Sequence, residues 1–229
     1  QQYVTNSGVT DMRYKACIFD LDGTTTDSVG AIAHTANLVL EKYGLPAQPE
    51  EAYKHFAGDG QFELIKRALR AAGDTKLEYY DAVMADYIEE FRTGCTYNVV
   101  PYDGILPMLE ELKRMGIKTA TLSNKRHDNV IHVVETVFGD GLFDVVMGQS
   151  DDIPKKPAPD GVYKILDKLG VDVSQCLYIG DTNTDIFTGK NAGADTVGVT
   201  WGFRGREELE EAGAVYIVDS PEQILEICR

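Results

Sequence analysis

No stretch of these 229 residues is apolar for long enough to cross a bilayer, which excludes a membrane protein built of spanning helices. Positive charge is scarce. The 22 Lys and Arg against 37 Asp and Glu leave a formal net charge of −15, which argues against nucleic acid or an anionic membrane as partner. A small anionic substrate would then need a local positive site. The four cysteines, Cys17, Cys95, Cys176 and Cys228, are far apart without metal-type spacing. They read as small core residues of a reducing compartment. The four histidines, His34, His55, His127 and His132, have no spacing that sets two on one helical face, so no histidine metal site is expected. Gly58-Asp59-Gly60 follows no strand and is too short for a dinucleotide fingerprint. No basic-then-apolar leader is apparent, and the expected location is the cytoplasm. The opening Gln1 to Asp11 lacks periodicity and is set aside from the fold argument.

What is present is a large apolar fraction, 43%, enough for one large domain or for one domain carrying an insert. The run Ala16 to Phe19 reads as a buried strand that delivers Asp20 and Asp22 into a turn at Gly23. Helical spacing follows over Val29 to Tyr43, Glu50 to Phe56, Gln61 to Ala72 and Leu77 to Arg92, with nothing strand-like between Ser28 and Thr96. From Pro101 the pattern changes. Helices Gly104 to Met115, Asp128 to Phe138, Asp160 to Leu169 and Thr184 to Asn191 alternate with strands Ile117 to Leu122, Phe143 to Met147, Cys176 to Ile179 and Thr196 to Val199. Strand Val215 to Val218 and helix Pro221 to Ile227 close the chain, and the acidic run Glu207 to Glu211 reads as a solvated helix face. This alternation predicts an α/β fold: a Rossmann-like, mostly parallel sheet with helices on both faces, interrupted by an all-helical cap. The expected domains are a core of 12–27 and 97–229 and a cap of 28–96.

Ligands of such sheets bind at the carboxyl ends of the strands, where Asp20, Ser123 and Asp181 are all expected. Asp20 and Asp22, one residue apart where the chain leaves the pleat, can face one cavity. Ser123-Asn124-Lys125 offers a hydroxyl and turn amides suited to phosphate oxygens, but a helix-capping serine has the same signature. Lys155-Lys156-Pro157-Ala158-Pro159 sets two cations before a helix start, where they oppose the dipole and call for an anion. Gly180-Asp181 and Asp185 place two more acids at a strand end and in a first helical turn, where they serve equally well as caps. Four acids on one edge repel one another unless a cation is shared, and oxygen-only ligands suit magnesium.

Asp20-Leu21-Asp22-Gly23-Thr24, Ser123, Lys156 before Pro157-Ala158-Pro159, and Gly180-Asp181 with Asp185 together resemble, in order, the four signatures of the haloacid dehalogenase-like superfamily. The helical insert, with Gly58, Gly60, Leu64, Ala68 and Leu69, and the late loop Gly198-Val199-Thr200-Trp201-Gly202-Phe203 are similar to those of its phosphoglycolate phosphatase-like group. The resemblance implies a phosphatase in which Asp20 is the nucleophile and Asp22 the general acid and base. It further implies Mg2+ near Asp20, Asp22 (through its carbonyl), Asp181 and Asp185, and a phosphoryl group held by Ser123, Asn124, Lys156 and Thr24. Asp185 is expected to orient Lys156 or a metal-bound water. The cap cations Lys54, His55 and Arg67 are expected near the leaving group, favouring 2-phosphoglycolate among small phosphorylated metabolites. A monomer or homodimer is expected. A sugar-phosphate mutase and a pyrophosphatase or other phosphate-ester hydrolase of the same group are the alternatives. Dehalogenase chemistry is disfavoured because Asp22 is present, and phosphonate hydrolysis through Lys54 for the same reason.

Overall fold

The computed structural model describes residues 12–229, so the segment Gln1 to Asp11 lies outside the described residues. Strand β1 (Ala16–Phe19) is wholly buried. It satisfies its backbone by pairing in parallel on both sides, with β4 (Lys118–Arg126) and β6 (Cys176–Gly180). With β5 (Val145–Gln149), β7 (Asp195–Val199) and β8 (Tyr216–Val218), these form a six-stranded sheet in the order β5-β4-β1-β6-β7-β8. Every pairing in it is parallel.

The alternation of side chains along β1 sorts the core into two layers. Cys17 and Phe19 share a cluster with residues of α5 (Ile105–Arg114), α6 (His127–Phe138) and α10 (Pro221–Cys228), whereas Ala16 and Ile18 cluster with α7 (Asp160–Leu169). Helices therefore cover both faces. Helices α8 (Asn183–Ala192) and α9 (Arg206–Glu211) meet through Ile186 and Leu209, and Leu209 is the inward residue of the otherwise acidic run.

Four helices, α1 (Val29–Lys42), α2 (Glu50–Phe56), α3 (Gln61–Ala71) and α4 (Tyr80–Gly94), lie between the first strand and the rest of the sheet. The apolar side chains of this cap, among them Tyr53, Leu64, Tyr87 and Phe91, belong to the same cluster as one face of the sheet. Its two connections pair with each other as an antiparallel ribbon, β2 (Thr26–Asp27) with β3 (Val100–Pro101). Two residues per strand are too few to show alternation, so the sequence carries no sign of it. Helix α4 begins at Tyr80, later than expected from Leu77. Leu77 stands at φ 59° and the Asp74 carboxylate accepts the N–H groups of Glu78 and Tyr79, which spends those residues on a turn.

Strand β4 also departs from expectation, running on to Arg126 instead of ending at Leu122. Leu122 pairs with Met147 and Arg126 with Gln149, so Ser123, Asn124 and Lys125 lie opposite the single residue Gly148. This is a bulge, which bends the strand and re-aims its side chains. Gly148 permits it. A Cβ there would stand 2.6 Å from the His127 Cα and 2.7 Å from the Lys125 carbonyl oxygen.

Candidate active site

The carboxyl ends of β1, β4 and β6 are adjacent in the sheet, and the turns that leave them build one cavity. After β1 the chain turns at Gly23, whose φ of +81° and close approach to Asp181 leave no room for a side chain. Asp20 ends 7% exposed. Its Oδ1 accepts the Leu21 N–H at 2.7 Å and lies 3.0 Å from the Lys156 ammonium. Lys156, equally buried, reaches Asp185 Oδ1 at 2.7 Å as well. Burial works against the Lys156 charge, but Asp185 and Asp20 outweigh it and hold its pKa well above the ordinary value.

Asp181 and Asp185 flank the start of α8. Asp185 Oδ2 accepts from the Asp181 and Thr182 N–H groups at 3.2 Å and from the Thr182 hydroxyl at 3.0 Å. With Lys156 on its other oxygen, this carboxylate is occupied by protein donors, and it orients the lysine. Asp181 takes the Thr24 hydroxyl at 3.0 Å on one oxygen and the Phe203 N–H at 2.7 Å on the other. Thr24, expected beside the phosphoryl group, is fully buried behind Asp181 and positions it. The loop holding Phe203 is fastened at Trp201, whose indole N–H donates to the Thr24 carbonyl.

One oxygen each from Asp20, Asp181 and Asp185 lies within 4.8 Å of the others. Three buried carboxylates facing one buried lysine carry excess negative charge. Burial, then Asp185, pushes the Asp181 carboxyl up to about 7, and burial followed by Asp185 drives Asp20 upwards too, although Lys156 pulls against it. A hard divalent cation relieves such a cluster, and an all-oxygen donor set fits magnesium better than zinc. The Asp22 side chain stands apart, accepting on Oδ1 the Ser28 hydroxyl and the Lys125 ammonium, both at 2.6 Å.

The cavity is lined on the core side by Asp20, Asp22, Ser123, Asn124, Lys125, Arg126, Thr182 and Phe203. Ile32, Gly58, Gly60, Gln61, Leu64, Tyr87 and Phe91 line it from the cap. Ser123 Oγ accepts the Lys125 N–H inside the bulge, so it is no helix cap; α6 starts at His127. Asn124 ties three segments together. Its amide donates to the carbonyls of Gly58 and Lys156 at 3.2 Å, and its Oδ1 accepts the Lys156 N–H at 2.9 Å.

The cap turn is held to the core around Asp59. Asp59 accepts the Thr184 hydroxyl at 3.0 Å and the Arg67 guanidinium at 2.6 Å, and its carbonyl accepts Lys155 at 2.8 Å. Burial works against the Asp59 charge, but the bonds from Arg67 and Thr184 outweigh it and hold its pKa below the ordinary value. Arg204 clasps the end of α2 through the carbonyls of Lys54, His55 and Ala57. Lys54 pairs with Glu51 at 2.9 Å and Arg67 also donates to the Phe56 carbonyl. Neither Lys54, His55 nor Arg67 lines the cavity; its cations are Lys125 and Arg126. The sequence reading assigns no side-chain role to Lys125, Ser28 or Arg126. The available signal was the pair of cations directly following Ser123-Asn124.

The family model described as haloacid dehalogenase-like hydrolase matches residues 17–199. The chain belongs to the haloacid dehalogenase-like hydrolases. It is a phosphoric monoester hydrolase. Among curated members of the family, it is 33% identical over 193 residues to the phosphoglycolate phosphatase of Aquifex aeolicus, covering 82% of this chain and 86% of that protein. The phosphoglycolate phosphatase of Neisseria meningitidis is 30% identical over 218 residues, covering 93% and 92%. Among solved haloacid dehalogenase-like structures, a candidate phosphoglycolate phosphatase of Lactobacillus delbrueckii subsp. bulgaricus superposes with a TM-score of 0.84 at 33% identity, covering 93% of this chain and 97% of the other. Among the described residues no helix is long and apolar enough to cross a membrane.

Proposed function

We propose that this hydrolase is a magnesium-dependent phosphatase acting on a small phosphorylated metabolite, with 2-phosphoglycolate the best candidate. One observation carries the reading: Asp20 and Asp22, one residue apart, face the same cavity but keep different company. Asp20 sits with Lys156 against two further buried acids, while Asp22 sits with Ser28 and Lys125. Two carboxylates in unlike environments suit two roles.

In this reading Asp20 attacks phosphorus, the bond to the leaving oxygen breaks, and an aspartyl-phosphate forms. Asp22 gives its proton to the departing oxygen and later takes one from the water that cleaves the intermediate. Lys156 offsets the charge of the phosphoryl oxygens, Asp185 holds Lys156, and Ser123 with the bulge amides binds the same oxygens. Magnesium bound at Asp20, Asp181 and the Asp22 carbonyl would lower the repulsion between a carboxylate and a phosphate dianion. The domains act as a core of 12–27 and 97–229 that does the chemistry, and a cap of 28–96 that covers the leaving group.

The small substrate is supported by the cavity, which encloses about 50 Å3 on a scale where one water needs roughly 10–15 Å3. The names of the relatives support phosphoglycolate, whose carboxylate Arg126 would meet at the cavity wall. Four buried thiols, none in a disulfide, agree with a cytoplasmic setting. The test is a panel of phosphate monoesters assayed with magnesium and with excess chelator. The expected result is magnesium-dependent release of phosphate with 2-phosphoglycolate turned over most efficiently. Full activity in chelator would overturn the metal assignment, and a six-carbon sugar phosphate as best substrate would overturn the substrate.

A further inference from the structure

We propose that Lys125 is a positioning residue that fixes Asp22 for proton transfer to the leaving group, an inference that rests on the acid role of Asp22 proposed above. Asp22 and Lys125 lie on different segments, the turn after β1 and the bulge of β4, yet meet at 2.6 Å. The side chains are 16% and 6% exposed, so the pair is nearly out of water. The bulge makes this possible. Three residues opposite Gly148 put Lys125 beyond the sheet ladder, where a regular strand would have carried it along the pleat.

Three features give the pair a purpose beyond burial. Lys125 and Ser28 converge on one oxygen, Oδ1, leaving Oδ2 as the oxygen from which a proton can be given. The same ammonium lies 5.2 Å from the ring centre of Phe91 on α4, a cavity-lining cap residue, so its far side is walled by an aromatic face. Both Asp22 and Lys125 line the cavity, so the fixed carboxylate stands where substrate enters. Without Lys125, Asp22 would swing about Ser28 alone.

The test separates leaving groups. Lys125→Met keeps the unbranched stem, one atom shorter, and removes the charge. A general acid matters for an alkoxide and little for nitrophenolate, which departs unaided. Efficiency, kcat/KM, should therefore fall about a hundredfold on an alkyl phosphate but less than about fivefold on 4-nitrophenyl phosphate, with Lys125→Arg recovering part of the loss. Ser28→Ala should fall in the same pattern by a smaller factor, which guards against a Lys125 variant that folds poorly. Asp22→Asn is the reference. If Asp22→Asn depends steeply on the leaving group while Lys125→Met lowers both substrates equally or not at all, Lys125 does not position Asp22. If Asp22→Asn itself shows no such dependence, the acid assignment fails and this inference with it.

Discussion

At and behind the core wall of the cavity the carboxylates of Asp20, Asp181 and Asp185 are at most 7% exposed and each is gripped by named donors, whereas the cap wall is mostly apolar surface, from Ile32, Leu64, Phe91 and the ring of Tyr87. The contrast divides the labour. A site held by several hydrogen bonds per carboxylate keeps one geometry and suits the step common to all phosphate esters. An apolar wall selects by shape and tolerates exchange of similar volumes. Changes among the buried carboxylates should therefore strike every substrate, and changes at residues that meet the leaving group should tell substrates apart.

The severest break is Asp20→Asn. The amide is nearly isosteric and cannot form the aspartyl-phosphate, so turnover should drop about a thousandfold or more on all esters alike. The metal-free fold should not weaken, because one of three crowded charges is gone. Residual turnover at a tenth of the parent rate would remove Asp20 from the nucleophile's role.

Next in size is the effect of the cation on stability. Asp181 keeps its proton up to about 7 in the metal-free fold, against an ordinary value of 3.8, and Asp20 shifts the same way. The folded state thus binds more protons than the unfolded chain across that window, and these groups cost stability as pH rises from about 4 to about 7. Lys156 does not offset this. Its contribution is complete below the ordinary lysine value of 10.5 and is lost only at still higher pH. Magnesium should therefore raise the melting temperature more at pH 7.5 than at pH 5. An equal rise at both, measured by thermal denaturation, would place the cation elsewhere.

A middling effect is expected where the two walls are joined. Arg204, from the core, holds three carbonyls at the end of α2. Arg204→Ala should lower kcat/KM about tenfold on alkyl and aryl esters alike, by loosening closure rather than chemistry. Loss confined to one substrate class would instead mean that Arg204 reads the leaving group.

These two walls were unequally legible in the sequence. The short apolar runs at Ala16–Phe19 and Cys176–Gly180 are central strands because a run buried on both faces has no other use, and the acids that follow them necessarily meet at one edge. The bulge in β4 left no such trace. Its cause is a two-residue mismatch with β5, a property of pairing that neither strand carries alone, and it is what sends Lys125 to Asp22. The cap cations were harder still. Lys54 and Arg67 fall on the expected helices, but which way a long side chain turns depends on the acid it finds, and Glu51 and Asp59 stand within reach of them. Helical periodicity reports a face, not a partner.

The smallest effects should come from single cations, Arg126 of the core and Lys54 and Arg67 of the cap. Arg126 lines the cavity and, among the described residues, is paired only with Asp151, a carboxylate 93% exposed, so that bond is weak and the guanidinium is available to a substrate. Lys54 pairs with a Glu51 that is 78% exposed, outside the cavity, and a surface pair of this kind contributes little. Arg67 is tied at both ends of its guanidinium, to Asp59 and to the Phe56 carbonyl, and so supports the cap turn instead of meeting substrate. Arg126→Ala should then cost about tenfold in kcat/KM on 2-phosphoglycolate and almost nothing on 4-nitrophenyl phosphate, which has no carboxylate to lose. Arg67→Ala should lower both equally, by a few-fold, through the cap turn. Lys54→Ala should leave both within about twofold of the parent. If Lys54→Ala instead halts phosphoglycolate turnover while sparing the aryl ester, the lysine leaves Glu51 when substrate binds, and the cap wall reads charge as well as shape.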